Sequence, residues 1–284
     1  RRRNSFSNPF MKKLISILAM AVALVGCTSA DKTAQQQPKH RNVAVQAYTF
    51  NRFTLEETIN KVKDLGLDGI ECYPKQRLSD KYPNVLTNQY MTAEQKAYLK
   101  KLLKDANLKL VSFGVAYANN EKEIEDLCKF VKEFGCTRVL TECPVGLFPV
   151  WEKVGAKYGV TMGVHNHNGP NNYWKPEYIF PLVKDYKFVK MNPDVGHIAR
   201  AGVDPIKALK TYEGKISSVH FKDLTEISSK NKPTVYGKGV LDTKAMLAEL
   251  DRQGYNGFFI IEYETKFEDN LAEVKECLDY LRKN

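Results

Sequence analysis

The chain has 284 residues, 43 of them Lys or Arg against 33 Asp or Glu, a formal charge of +10, and six cysteines. Lys and Glu are interspersed along the predicted helices with no basic block, which excludes a nucleic-acid footprint. Cys72, Cys128, Cys136, Cys143 and Cys277 lack the paired spacing of a zinc ribbon or a disulfide frame and read as isolated buried thiols, with a Cys128–Cys136 or Cys72–Cys143 bridge left open. In chain order, residues 1–10 precede Met11 and are set aside as a non-native or mis-assigned start. From Met11 the text is that of a signal peptide: Lys12 and Lys13, then an apolar run over 14–25, too short to remain as a spanning helix.

The end of that run, Leu24-Val25-Gly26-Cys27, resembles the bacterial lipoprotein lipobox. The resemblance implies cleavage before Cys27, a lipid anchor on its thiol as the only contact with the membrane, and a location in the periplasm or on the cell surface. Five basic residues and no acids lie ahead of the cleavage point, which brings the charge from +10 to +5. Residues 28–41 are polar, contain a Gln35-Gln36-Gln37 run and Pro38, and read as a flexible tether. About 240 residues then remain from Asn42 to the end, enough for one large domain with a full core.

That domain begins with an apolar strand over 43–50. Thr54 caps a helix over 55–65, with Glu57 at its third position in capping-box fashion. Strands follow over 67–73, 108–117, 138–143, 160–164, 188–194, 216–221 and 258–262. Helices over 93–106, 121–134, up to 158, from 176 to 186, 206–212, 243–253 and 268–283 separate them. A unit recurs: a helix, an aromatic residue, Leu or Gln, a Gly, and an apolar strand, as in LGLDGIE, FGCTRVL, YGVTMGV and QGYNGFFIIE. Short apolar strands between amphipathic helices mean a parallel sheet covered by helices. Eight such units predict a single-domain (β/α)₈ TIM barrel over 42–284; an open doubly wound sheet loses because no glycine-rich dinucleotide loop follows the first strand.

In such a barrel the active site lies at the C-terminal ends of the strands. The polar residues there are Glu71 on the second strand, Glu142 on the fourth, and His165 and His167 on the fifth. The sixth offers Asp194 and His197, the seventh His220, Lys222 and Asp223, and the eighth Glu262 and Glu264. Side chains alternate along a strand, so His165 and His167 face the same way. Converging acids and imidazoles suit a divalent ion with mixed oxygen and nitrogen ligands: Mn²⁺, Co²⁺, Zn²⁺ or Mg²⁺. Tyr48, Tyr73, Tyr117, Tyr173 and Trp174 fall where rings stack on a sugar face or simply pack in loops. Gly237 and Gly239 flank Lys238 in a loop of the type that binds phosphate in barrels, a role discounted for an exported protein.

Four segments in order, DVGHIARAGVDP (194–205), HFKD (220–223), GKGVLD (237–242) and IIEYE (260–264), resemble the xylose isomerase-like barrel superfamily of sugar isomerases and epimerases. The resemblance implies a divalent metal held by Asp194, His220 and Glu262. The remaining ligand of the family, a Glu, is replaced by His165, so either His165 or Glu142 completes the shell. It also implies proton abstraction next to a sugar carbonyl, with Glu262 as one acid/base group and the symmetric two-glutamate arrangement lost. His167 matches a position where some relatives that eliminate oxidised glycosides place a base, and Lys222 is a candidate for stabilising an oxyanion. Three functions follow as expectations: a sugar isomerase or epimerase by default, a lyase cleaving keto-glycosides by elimination as the alternative, and a non-catalytic sugar-binding lipoprotein as the third. Each takes a small carbohydrate and no nucleic acid, and the oligomeric state is left open.

Overall fold

The computed structural model describes residues 40–169, 171–228 and 231–284. The expected signal peptide, lipobox and most of the tether lie outside the described residues. Among the described residues the strands are β1 (Asn42–Gln46), β2 (Gly69–Cys72), β3 (Lys109–Phe113), β4 (Arg138–Thr141), β5 (Thr161–His165), β6 (Val189–Asn192), β7 (Ser218–Phe221), β8 (Asp223–Leu224), β9 (Pro233–Thr234) and β10 (Phe258–Ile261). The helices are α1 (Leu55–Asp64), α2 (Ala93–Asp105), α3 (Glu121–Glu133), α4 (Phe148–Tyr158), α5 (Pro176–Val183), α6 (Val195–Arg200), α7 (Pro205–Thr211), α8 (Thr243–Arg252) and α9 (Leu271–Lys283).

Eight strands form one parallel sheet in the order β6-β5-β4-β3-β2-β1-β10-β7. Its two ends meet through parallel bridges, Met191 to Ile216 and Asp194 to His220, so the sheet curls into a nearly closed barrel with helices outside. The expected (β/α)₈ architecture is therefore present. Local chemistry explains the units. Thr54 accepts from the Glu57 amide while Glu57 returns a bond to the Thr54 amide, and Thr92 and Gln95 do the same at α2; such caps are worth about 1 kcal/mol each. Gly159 ends α4 at φ +64, the left-handed conformation that lets the chain turn at once into β5.

Most apolar side chains pack between strands and helices, where Trp151, Phe113 and Phe130 are buried. A separate cluster, Ala44, Val111 and Ile260, lies on the opposite face of the sheet, the lumen. Further along the strands the lumen-facing positions become polar, and that change of character creates the site.

The boundaries differ from expectation in three places. The first strand ends at Gln46 and a 3₁₀ turn, Ala47–Phe50, follows. Asp194 and His197 are not strand residues: Asp194 caps α6 and His197 sits within it. The loop after β7 carries a small antiparallel hairpin, β8 with β9. The five described cysteines are buried and free, so neither bridge left open above forms.

Candidate active site

Parity within the strands decides which residues reach the lumen. Gln46 pairs in register with Glu71, and His165 with Asn192, so these share a face. On β7 and its continuation, Ser218, His220 and Lys222 alternate onto that same face. Glu262, one residue past β10, joins them.

His165 is buried, and its Nδ1 lies 2.9 Å from Asn192 Oδ1. Asn192 donates its amide to Ser218 Oγ at 2.8 Å, so its carbonyl oxygen is the atom that faces the imidazole. The network therefore assigns the proton to Nδ1 and leaves a lone pair on Nε2. Burial, aided by the nearby His220 and His167, pulls its pKa down to about 4, so this imidazole stays neutral. A neutral ring fixed by a neighbouring amide is how proteins present a metal ligand.

His220 is held at both nitrogens: Nε2 is 2.7 Å from Glu71 Oε1 and Nδ1 is 3.0 Å from Glu262 Oε2. Burial lowers its pKa, but Glu71 and Glu262 outweigh it and raise it to about 10. Its Nδ1 would shed that proton to ligate. Glu71 is itself fully buried; it accepts from Gln46 Nε2 at 2.7 Å and from the Ser112 hydroxyl. Asp194 Oδ1 accepts from the His197 amide at 2.8 Å. Asp194 Oδ2 lies 2.8 Å from the Lys222 ammonium but off the hydrogen-bonding direction, and it accepts no hydrogen bond although buried. Burial alone would raise the Asp194 and Glu262 pKa values; Lys222, with His197 beside Asp194 and His220 beside Glu262, holds both low.

A second group stands at the mouth. The His167 backbone amide and Nδ1 both donate to Glu142 Oε1, at 2.6 and 2.8 Å. Its side chain is 43% exposed, whereas that of Glu142 is 9% exposed. Burial depresses the His167 pKa, but the Glu142 hydrogen bond and charge win and raise it above 6.5. The His167 ring centroid lies 4.8 Å from that of His165 and 4.6 Å from that of His197. Lys222 is completely buried and reaches Asp194, Glu262 and Glu264 at 2.8, 2.8 and 2.6 Å.

Among the described residues, two sets of donor atoms each lie within 4.8 Å of one another: Glu142, His165 and His167, and His165, Asp194 and His220. Both need the single free nitrogen of His165, so they are alternatives for one ion. The second set fits a divalent cation better. It contains Asp194 Oδ2, which accepts no hydrogen bond, and it adjoins Glu262, whereas Glu142 Oε1 of the first set already accepts from both the His167 amide and its Nδ1. Nitrogen and oxygen donors together suit Mn²⁺, Co²⁺ or Zn²⁺, and the carboxylates also suit Mg²⁺.

Of the acids, histidines and lysine singled out at the strand ends, all but Asp223 face this site or its edge. Asp223 turns away: its carboxylate accepts from the amides of Leu224, Gly237, Gly239 and Leu241 at 2.9 to 3.1 Å. The glycine loop that resembled a phosphate cradle is therefore filled by the chain's own carboxylate, and a Cβ on Gly239 would lie 2.2 Å from Asp223 Oδ1. Tyr173 is a core residue that donates to the Cys143 carbonyl, whereas Tyr48 and Tyr117 are exposed. Gln46, Ser112 and Asn192 went unremarked in the sequence. Each is a polar residue on the inward face of an otherwise apolar strand, which is the signal that marks them.

The family described as "Xylose isomerase-like TIM barrel" matches residues 59–284. An inosose dehydratase of Mesomycoplasma hyopneumoniae (strain 7448) is 30% identical over 155 residues, 48% of this chain and 50% of that one. An L-ribulose-5-phosphate 3-epimerase of Salmonella paratyphi C is 32% identical over 94 residues, 33% of this chain and 32% of that one. The chain thus spans half or less of the length of these curated relatives. The crystal structure of an uncharacterized protein from Parabacteroides distasonis ATCC 8503 is 28% identical, with a TM-score of 0.70 over 86% of this chain and 98% of that one. With the matched region running through nearly the whole barrel, this chain belongs to the xylose isomerase-like TIM barrel family.

Proposed function

We propose that the protein is a divalent-metal-dependent enzyme that removes a proton α to the carbonyl of an oxidised carbohydrate, and that elimination follows. The observation that carries this reading is the His167–Glu142 pair: a half-exposed imidazole at the mouth whose Nδ1 is anchored by a carboxylate, leaving Nε2 to act as base. A metal held by His165, Asp194, His220 and Glu262 would supply a Lewis acid for the carbonyl oxygen. His167 Nε2 takes the α proton while Glu142 stabilises the imidazolium. The C–H electron pair becomes a carbon–carbon double bond, the β-substituent leaves with its bonding pair, and the His167 imidazolium returns the proton to it. Lys222 contributes positive potential to the centre where negative charge develops.

Elimination is favoured over epimerisation because the second acid/base group is compromised. Epimerisation needs two groups on opposite faces of the substrate. Here the family's first glutamate is His165, and Glu262 has its Oε2 engaged by His220 and Lys222. The epimerase reading keeps support from the 11% exposure of the Glu262 side chain and from the likeness to an epimerase. Export as a lipoprotein anchored at Cys27 is part of the proposal and fits a carbohydrate substrate outside the cytoplasm.

The test is incubation with keto-glycosides and ketoses in D₂O with Mn²⁺ or Co²⁺. Release of the aglycone with formation of an unsaturated ketone is the expected outcome. Deuterium incorporation without cleavage would establish the isomerase reading instead, and neither product would leave a sugar-binding protein.

A further inference from the structure

We propose that Lys222 is a built-in counter-cation of the acidic centre, competing with a divalent metal for Asp194 and Glu262 and weakening its binding. The inference deepens the metal reading above and rests on it. His220 and Lys222 are two residues apart on one strand and its extension, so both enter the lumen. The Lys222 ammonium is fully buried and lies within 2.8 Å of carboxylate oxygens of Asp194, Glu262 and Glu264. The first two oxygens are the ones a metal would use.

The lysine is also locked in place. Gly196 in α6 packs on its stem: a Cβ there would fall 2.9 Å from Lys222 Cδ and 3.0 Å from its Cβ. A divalent ion therefore meets a fixed ammonium, not a mobile one. The bond to Glu264 is aligned, whereas that to Asp194 Oδ2 is not, so a lone pair remains for the metal while the charges still oppose. An ion drawn to those two oxygens would meet the repulsion of the ammonium, and like charges about 4 Å apart in a protein interior repel by more than a tenfold change in affinity is worth. Without metal, the ammonium holds the carboxylates together, so the site keeps its arrangement.

Isothermal titration of Mn²⁺ into wild type, Lys222→Met and Lys222→Gln tests this. The dissociation constant is expected to fall about tenfold or more in the neutral variants, and to stay near wild type in Lys222→Arg. Melting temperatures with and without Mn²⁺ guard against misfolding: metal should stabilise the neutral variants more than wild type, because it replaces the missing charge. Equal or weaker binding in the neutral variants while wild type binds Mn²⁺ would overturn the inference and leave the metal reading standing. Neutral variants that fail to fold even with Mn²⁺ would also overturn it. Absence of binding in wild type and every variant would overturn the metal reading, and this inference with it.

Discussion

His167 shows how a side chain's role is set by its partner. It must be neutral to accept a proton, and Glu142 raises its pKa above 6.5 against the opposing effect of burial, with Asp194 and Glu262 adding to the rise. His165 and His197 also face it. Activity should therefore increase with pH through a limb above 6.5. Replacing Glu142 by Gln removes the charge that favours the imidazolium. The limb in kcat/KM should shift to lower pH and the plateau fall by about 10²-fold or more. A limb that does not move would place the base elsewhere. At this scale the sequence exposed the acids and imidazoles, since few other residue types cluster at strand ends. It did not expose how they divide. His220 and His167 look alike in the text, yet one is buried between Glu71 and Glu262 and the other opens to solvent. Glu71 stood out only as a strand-end acid, because its contact with His220 bridges 149 positions.

The elements were legible where they are long and periodic. α1 and α3 have strong apolar stripes, all of α1, α2 and α3 have capping residues, and the left-handed residue after each, Gly66, Asn107 and Gly135, is visible as text. α6 was not legible: its six residues, VGHIAR, are buried on nearly every side and show no amphipathic period. The β8–β9 hairpin has two residues per strand, too few for a pattern. In the loop from 235 to 241, the glycines flanking Lys238, of a kind found at anion sites, serve an internal carboxylate. Asp223→Ala would strand four backbone amides. It should cost about 2–4 kcal/mol, a fall of roughly 5–10 °C in melting temperature, while Mn²⁺ affinity stays within a few-fold of wild type. Thermal melts and metal titration check both halves. A stable variant would mean that the loop finds other acceptors.

For the molecule as a whole, the barrel followed from repeat and period, and the residues ahead of it carry the proposal about location. If Cys27 is lipidated, cells expressing the full chain with an alkyne-tagged fatty acid should label the protein, and Cys27→Ala should abolish the label and release the protein from the membrane fraction. Labelling that survives the substitution would reject Cys27 as the anchor. The way the ring shuts bears on how such a protein can change. β6 and β7 are the two ends of the sheet, and only a few backbone bonds, among them those of Met191 with Lys215 and Ser217 and of His220 with Pro193, span the gap. Asp194 and His220 face each other across it. The residues that would grip an ion thus stand where main-chain bonds fasten the hoop, like stones set in the clasp of a bracelet. Those bonds do not depend on the side chains beside them, so a lineage can trade the side chains for new chemistry at this seam and keep its frame fastened.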